Sequence, residues 1–339
     1  MVNSKKFYKR QIILDEVKEE GQKKLSDAKV LVIGAGGLGS PLLTYLAAAG
    51  VGHITICDDD IIDETNLHRQ ILFTPEDIGK NKAQIAKERI TKQNPLINIS
   101  IDTNSFDENT CIDRFDIIID CTDNFNAKFL AHDQCFQKNK IFCVASIHKF
   151  EGQVQIFNFN SDVYSEFSPC MRCLWKEKPS SDCVETCAVA GVIGAVAGVV
   201  GTIQAMEIIK CILGMNHLKN NQNLLISLVD FSSMKITFSK EKECPLCGDE
   251  KKNIFNTGSI FETTLVNALD QNFHIFDITR DIDIYQELDK IKDNKDIAII
   301  CKRGISSLKL VKELRKIGYS NSFSIEGGLT PSNKKLLGI

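Results

Sequence analysis

The chain has 339 residues, 43% apolar and 25% charged, enough for two or three packed domains of an ordinary globular protein. A formal charge of -3, with no basic tail or stripe, excludes the electrostatics of nucleic-acid or anionic-membrane binding. The lysine-rich N-terminus lacks the continuous apolar core of a secretory signal, so the 13 cysteines are expected in the reducing cytoplasm as thiols, metal ligands or nucleophiles rather than disulfides.

In chain order, strands are predicted at Lys29–Ile33, His53–Cys57, Asn98–Asp102, Asp116–Asp120 and Lys140–Ala145, with amphipathic helices between most of them. That rhythm predicts an α/β, Rossmann-like, doubly wound and mainly parallel sheet. Ser40-Pro41 opens the first helix and Gly50 closes it. A cysteine-bearing stretch follows, then the apolar run Ala188–Leu213 and two more strands, Leu224–Asp230 and Met234–Ser239. The run approaches a membrane span in length, but Gln204, Glu207 and Lys210 on successive turns make it a buried helix of a large α/β domain. The polar residues 249–260 read as a linker between a domain 1–248 and a small α/β domain 261–339, with strands at His274–Asp277, Ile297–Ile300 and Ser322–Ile325.

The first strand runs into Gly34-Ala35-Gly36-Gly37-Leu38-Gly39 and a capped helix. Glycines there allow a tight turn and close approach of backbone to phosphate, and the helix N-terminus favours anions. Asp58 ends the second strand, where a carboxylate accepts ribose hydroxyls. From the glycines alone a dinucleotide dehydrogenase is the first reading. The loop from Asp58 through Asp60 to Asn66-Leu67-His68-Arg69-Gln70, with Lys82 beyond it, brings donors and positive charge to the same end of the sheet. A transferring triphosphate needs such charge; a hydride does not. Asp123, in Cys121-Thr122-Asp123-Asn124 after the fourth strand, is placed to hold Mg²⁺.

Together the glycine loop, Asn66–Gln70, Lys82 and the Cys121–Asn124 turn closely resemble the MoeB/ThiF family, relatives of ubiquitin-activating enzymes, from about Tyr8 to Gly248. The resemblance implies ATP-dependent adenylation of the C-terminal carboxylate of a ubiquitin-like sulfur-carrier protein ending in Gly-Gly. In that reading Gly34, Gly36, Gly37, Gly39, Asp58, Asp60 and Gln70 bind nucleotide, and Asn66, Arg69 and Lys82 take the phosphates. Asp123 becomes the Mg²⁺-associated acid, and Arg10 the arginine that one subunit of a homodimer donates to its partner's ATP. The molybdopterin-synthase carrier is the leading substrate and the thiamine-pathway carrier its rival. A nicotinamide-dependent oxidoreductase and a non-catalytic carrier-binding scaffold are the alternatives from other classes.

Two pairs, Cys170-Met171-Arg172-Cys173 and Cys244-Pro245-Leu246-Cys247, have the spacing of two thiolate knuckles on one tetrahedral ion, Zn²⁺ before an Fe–S cluster. The resemblance implies the same zinc site. Cys183 and Cys187 precede the long helix. Cys187 keeps the family's spacing to Gly191-Val192-Ile193-Gly194, where a cysteine takes part in sulfur transfer or a thioester in some members and an idle loop thiol is the alternative. Cys301 ends a strand and opens Cys301-Lys302-Arg303-Gly304-Ile305-Ser306-Ser307, a loop whose backbone N–H groups are expected to face the sulfur and stabilise a thiolate or persulfide. With Glu326-Gly327-Gly328 it resembles a rhodanese domain, which implies a sulfur donor of the cysteine-desulfurase type. The zone is shortened, and Ser306 stands where many rhodaneses have arginine, so a domain that only docks partners is the alternative. Cys57, Cys111, Cys121, Cys135, Cys143 and Cys211 read as packing residues within strands and helices.

Overall fold

The computed structural model describes residues 2–160, 165, 167–176, 191–248, 262–280, 284–288, 295–302, 305–319, 321–325 and 327–338. They fall into two compact units, one up to residue 248 and one from 262. The predicted linker 249–260 lies outside the described residues, as do Cys183, Cys187, Arg303, Gly304 and Glu326.

The first unit holds the strands β1 (Lys29–Ile33), β2 (His53–Cys57), β3 (Asn98–Asp102), β4 (Ile117–Asp120), β5 (Ile141–His148), β6 (Glu151–Asn158), β7 (Gln222–Ser227) and β8 (Ser233–Thr237). The apolar runs β1, β2 and β4, of four or five residues, are buried on both faces, whereas β8 is exposed. The sheet order is β3-β2-β1-β4-β5-β6-β7-β8. The first five are mutually parallel, and β6, β7 and β8 extend the sheet antiparallel. Connections therefore leave β1 and β4 in opposite directions, which opens a crevice beyond their C-terminal ends.

Helix Gly39–Ala49 packs Leu42, Leu43 and Leu46, all fully buried, against the core that holds Val30, Val32, Ile54 and Ile56. Each such side chain contributes about 1.5–3 kcal/mol by leaving water. Gly50 ends the helix in the left-handed region at φ 87. Helix Gly194–Leu213 is long and apolar enough to cross a membrane by length and composition. Here it buries Val196, Ala197, Val200, Ala205 and Ile208 in the same core and carries Gln204 and Glu207 buried with them.

The second unit is a four-stranded parallel sheet in the order β10-β11-β12-β9, with β9 (Glu262–Thr263), β10 (His274–Asp277), β11 (Ile297–Ile300) and β12 (Ser322–Ile325). All of β11 is buried because its side chains alternate between two cores. Ile297 and Ile299 meet Val311 and Leu314, while Ala298 and Ile300 meet Leu265 and Ala268.

Gly39 is where the turn and the first helix touch: a Cβ added there would lie 2.1 Å from the Gly34 carbonyl oxygen, a backbone atom that cannot swing away. Gly39→Ala is expected to cost about 1–3 kcal/mol in urea unfolding, because the turn must open to admit the methyl. An unchanged midpoint and slope would show that the turn is slack.

Candidate functional site

The crevice between β1 and β4 is built from four segments. Gly34 leaves β1 at φ +93, and an added Cβ would stand 3.1 Å from the Cys121 carbonyl carbon and oxygen, so the turn lies directly on the end of β4. The next residue, Ala35, donates its N–H to Asp58 Oδ2 at 2.6 Å, and Asp60 donates to Asp58 Oδ1 at 2.9 Å. Asp58 is thereby held at the end of β2 by two backbone donors. Gly36 and Gly37 face the third segment: added Cβ atoms would meet Gln70 Nε2 at 3.5 Å and Arg69 Cγ at 3.7 Å.

That third segment starts with a 3-10 turn, Glu64–Asn66, capped by the Asp63 carboxylate accepting from Thr65 N–H at 2.8 Å. The N–H groups of Arg69 and Gln70 both donate to the Asn66 carbonyl, and Arg69 Nη1 donates to the Thr65 carbonyl at 2.9 Å. Gln70 is buried, and its Oε1 has no hydrogen-bond partner among the described residues. The N-terminus of helix Gly194–Leu213 presses on the same loop, with Gly194 so close that a Cβ would fall 2.3 Å from the His68 carbonyl oxygen. The fourth segment is helix Lys82–Gln93, capped by Asn81 Oδ1 accepting from Gln84 N–H. Asn81 Nδ2 also donates to the Asp58 and Asp60 carbonyls at 3.3 Å. The Lys82 side chain is buried, and its ammonium reaches Asp60 Oδ2 at 2.9 Å.

Asp123 stands exposed beyond β4. The structure thus brings Gly34, Gly36, Gly37, Gly39, Asp58, Asp60, Asn66, Arg69, Gln70 and Lys82 into one neighbourhood, with Asp123 on the turn that Gly34 touches. Arg10 is exposed on the short helix Lys9–Ile12, and no described contact links it to the crevice.

Burial pushes the Asp58 carboxyl above its ordinary value, against the pull of the Ala35 donor and Lys82. A carboxyl raised in this way holds its proton more tightly folded than unfolded, so stability falls as pH rises from the unfolded value, near ~3.9, through the folded one. Asp58→Asn is expected to remove that slope from unfolding measured at a series of pH values. It also sets an amide NH₂ against a backbone N–H. A slope that survives the substitution would place its origin elsewhere.

The four knuckle cysteines are all buried, with their sulfurs within 4.8 Å of one another. Cys170 and Cys244 lie 3.6 Å apart, Cys173 and Cys247 3.4 Å. A tetrahedral ion with Zn–S bonds of about 2.3 Å needs sulfur edges of about 3.8 Å, so this donor set fits zinc. A hydrogen bond from Cys170 lowers the Cys173 thiol below its ordinary value against the opposing pull of Cys244, and Glu241 N–H also points at its sulfur, at 3.5 Å. Fully buried His132 accepts the Met171 N–H at Nε2, at 3.0 Å, which makes Nδ1 the donor to Asp133 at 2.8 Å. Asp133 also receives Arg172, whose guanidinium lies 4.7 Å over Phe129. The knuckle backbone between the two cysteines is thus clamped to helix Phe125–Gln137. His132→Ala is expected to speed zinc release to a chelator about tenfold, as other supporting shells do. Release at the wild-type rate would make the clamp irrelevant to the metal.

In the second unit, buried Cys301 accepts at Sγ from Ser307 N–H at 3.4 Å and Ser307 Oγ at 3.2 Å, and Ser307 Oγ meets Ser324 Oγ at 2.8 Å. Ser306 is exposed. Among the other cysteines Cys111 is a correction: it is exposed on a loop, and Cys121 lies on the turn after β4. Sequence reasoning missed Asn81, Thr122, Lys128 and Gln204. A lysine amid apolar neighbours in Phe125–Gln137 was the one available signal.

A glycine turn, a ribose-side carboxylate and a cationic loop meeting at the switch point of a doubly wound sheet define a Rossmann-type nucleotide-binding enzyme. Residues 8–246 match the ThiF family, and the chain belongs to it. It is 38% identical over 246 residues to the sulfur carrier protein adenylyltransferase of Thermus thermophilus, covering 72% of this chain and 90% of that one. It is 31% identical over 366 residues to the Mycobacterium tuberculosis protein named "Probable adenylyltransferase/sulfurtransferase MoeZ", covering 97% and 93%. Among solved structures, Escherichia coli MccB with ATP is similar at a TM-score of 0.58 and 25% identity, over 67% of this chain and 68% of that one. The chain is an adenylyltransferase.

Proposed function

We propose that this adenylyltransferase uses ATP to adenylate the C-terminal carboxylate of a ubiquitin-like sulfur carrier ending in Gly-Gly, of the molybdopterin-synthase type. The observation that carries the reading is the packing of the Asn66–Gln70 loop onto the glycine turn, which sets Arg69 beside the backbone that cradles phosphate. Likeness over nearly the whole chain to MoeZ, a relative named for both adenylyl and sulfur transfer, supports it.

The attacking carboxylate is ionised at neutral pH, since its unperturbed pKa is near ~3.5, so no general base is required. A carboxylate oxygen bonds to the α-phosphorus as the bond to the leaving pyrophosphate breaks, which yields acyl adenylate and pyrophosphate. Asp58 holds the ribose, Asn66 and Arg69 the phosphates, and Lys82 exchanges Asp60 for phosphate charge. Asp123 would hold Mg²⁺, which would supply positive charge for the leaving pyrophosphate. Cys170, Cys173, Cys244 and Cys247 would hold zinc, which would tie two distant segments together. Arg10 completes the site across a homodimer.

Residues 261–339 form a shortened rhodanese-like domain in this reading. Cys301, hydrogen-bonded by Ser307, carries sulfur from a cysteine-desulfurase-type donor to the activated carrier. Cys187 is the thiol that takes part in this transfer. The enzyme works in the cytoplasm.

Carrier-dependent ATP–pyrophosphate exchange tests the proposal, run in parallel with molybdopterin-type and thiamine-type carriers. Exchange with the first is expected. Arg69→Ala and Lys82→Ala should each lower the rate by about 100-fold or more while the melting temperature moves little. Exchange with the thiamine-type carrier alone would reassign the pathway, and near-normal rates in both variants would sink the residue assignment.

A further inference from the structure

The turn that carries Asp123 is built on a buried ion pair. Asp120, the last residue of β4, is fully buried and pairs with Lys128 of helix Phe125–Gln137, itself buried. The Lys128 ammonium also donates to the Ala145 carbonyl at 3.1 Å, so it bridges β4 and β5. The other Asp120 oxygen, Oδ1, faces forward: it accepts from the Thr122 hydroxyl at 2.7 Å and from the Thr122 N–H at 3.4 Å. Behind the turn, Gln204 of the long helix donates to the Asp120 carbonyl at 2.9 Å and meets Cys121 Sγ at 3.5 Å.

A buried ion pair is a poor way to fill a core, since apolar residues of similar volume serve stability as well or better. What an apolar pair cannot do is accept hydrogen bonds. Asp120 turns a charge held deep in the sheet into a fixed anchor for Thr122, the residue immediately before Asp123. Gly34 lies against the carbonyl of Cys121, so the same anchor sets the height of the glycine turn.

We infer that Lys128 and Thr122 are positioning residues for the adenylation site: acting through Asp120, they hold the Cys121–Asn124 turn so that Asp123 and the glycine loop address the same Mg²⁺–triphosphate. The inference rests on the reading of Asp123 as the Mg²⁺-associated acid. Both side chains are already committed within the protein. Lys128 is spent on Asp120 and a backbone carbonyl, and the Thr122 hydroxyl lies between Asp120 Oδ1 and the Asn124 carbonyl, the latter at 3.2 Å, so it ties the turn to the buried pair.

The test is the Mg²⁺ dependence of ATP binding by the full chain, read by calorimetry with no carrier present. Thr122→Val removes the hydroxyl's bonds to Asp120 and to the Asn124 carbonyl at a half-exposed position, and leaves the longer N–H contact and the ion pair in place. It should raise the Mg²⁺ concentration needed for half-maximal ATP binding about tenfold, measured well below the melting temperature of the variant so that the loss of a bond to a buried carboxylate does not enter the reading. Thr122→Ser and Lys128→Arg, which keep the donors, should behave as wild type. Asp123→Asn is the control. If it shifts the Mg²⁺ requirement and Thr122→Val does not, the positioning role is overturned and the Asp123 reading stands. If neither variant shifts it, both are overturned.

Discussion

A carboxylate taken out of water at the end of β2 organises the nucleotide end of this sheet. Asp58 is buried, which costs free energy, and it recovers much of that through backbone N–H groups from two different turns. Hydrogen bonds to a charged group are worth about 1.5–3 kcal/mol each, comparable with the burial cost. The balance is close enough that the carboxyl still sits above its ordinary value. A group held so near neutrality of cost gains from any ligand that adds a hydrogen bond, and ribose hydroxyls are such ligands. The residues around it follow from this anchor. Ala35 fixes the glycine turn, Asp60 brings Lys82, and Asn81 caps the next helix while bonding the same two carbonyls.

Long-range closure is managed by a different device. Cys173 and Cys244 lie far apart in sequence, and bringing such loop ends together carries an entropy cost that grows slowly with length. Four thiols within 4.8 Å repel as thiolates unless a cation sits among them, so metal binding and loop closure are coupled. The His132, Asp133 and Arg172 clamp holds the first knuckle to helix Phe125–Gln137, the helix that also supplies Lys128. One helix therefore supports both the cysteine knuckle and the Asp123 turn.

The chain advertised most of its strands through apolar runs, and ten were read close to their observed limits. β6 was not. The β5–β6 hairpin turns at Lys149-Phe150, with Lys149 at φ 53 and neither glycine nor asparagine to mark it. Glu151, Gly152 and Gln153 then open β6 with polar and small residues, which hides a strand whose far half is fully buried. β9, two residues long, carries no pattern at all. The phosphate-side residues were legible because their chemistry demands particular types at fixed short spacing. Gln204 and Lys128 were not, because each meets its partner across elements: Gln204 reaches Asp120 over 84 positions, and Lys128 reaches Ala145 over 17.

What the sequence determined by itself was local: the glycine turn between strand and helix, the cationic loop, the two cysteine knuckles and the thiol loop at Cys301. Each of these depends on neighbours within a dozen residues, where chain geometry leaves little choice. Only the tertiary structure decided that Lys82 pairs with Asp60, that the long apolar helix presses its N-terminus on His68, and that Asp120 joins Lys128 to Thr122. Those contacts depend on which buried polar groups are left to satisfy one another once the sheet has closed, and no spacing rule along the chain encodes that.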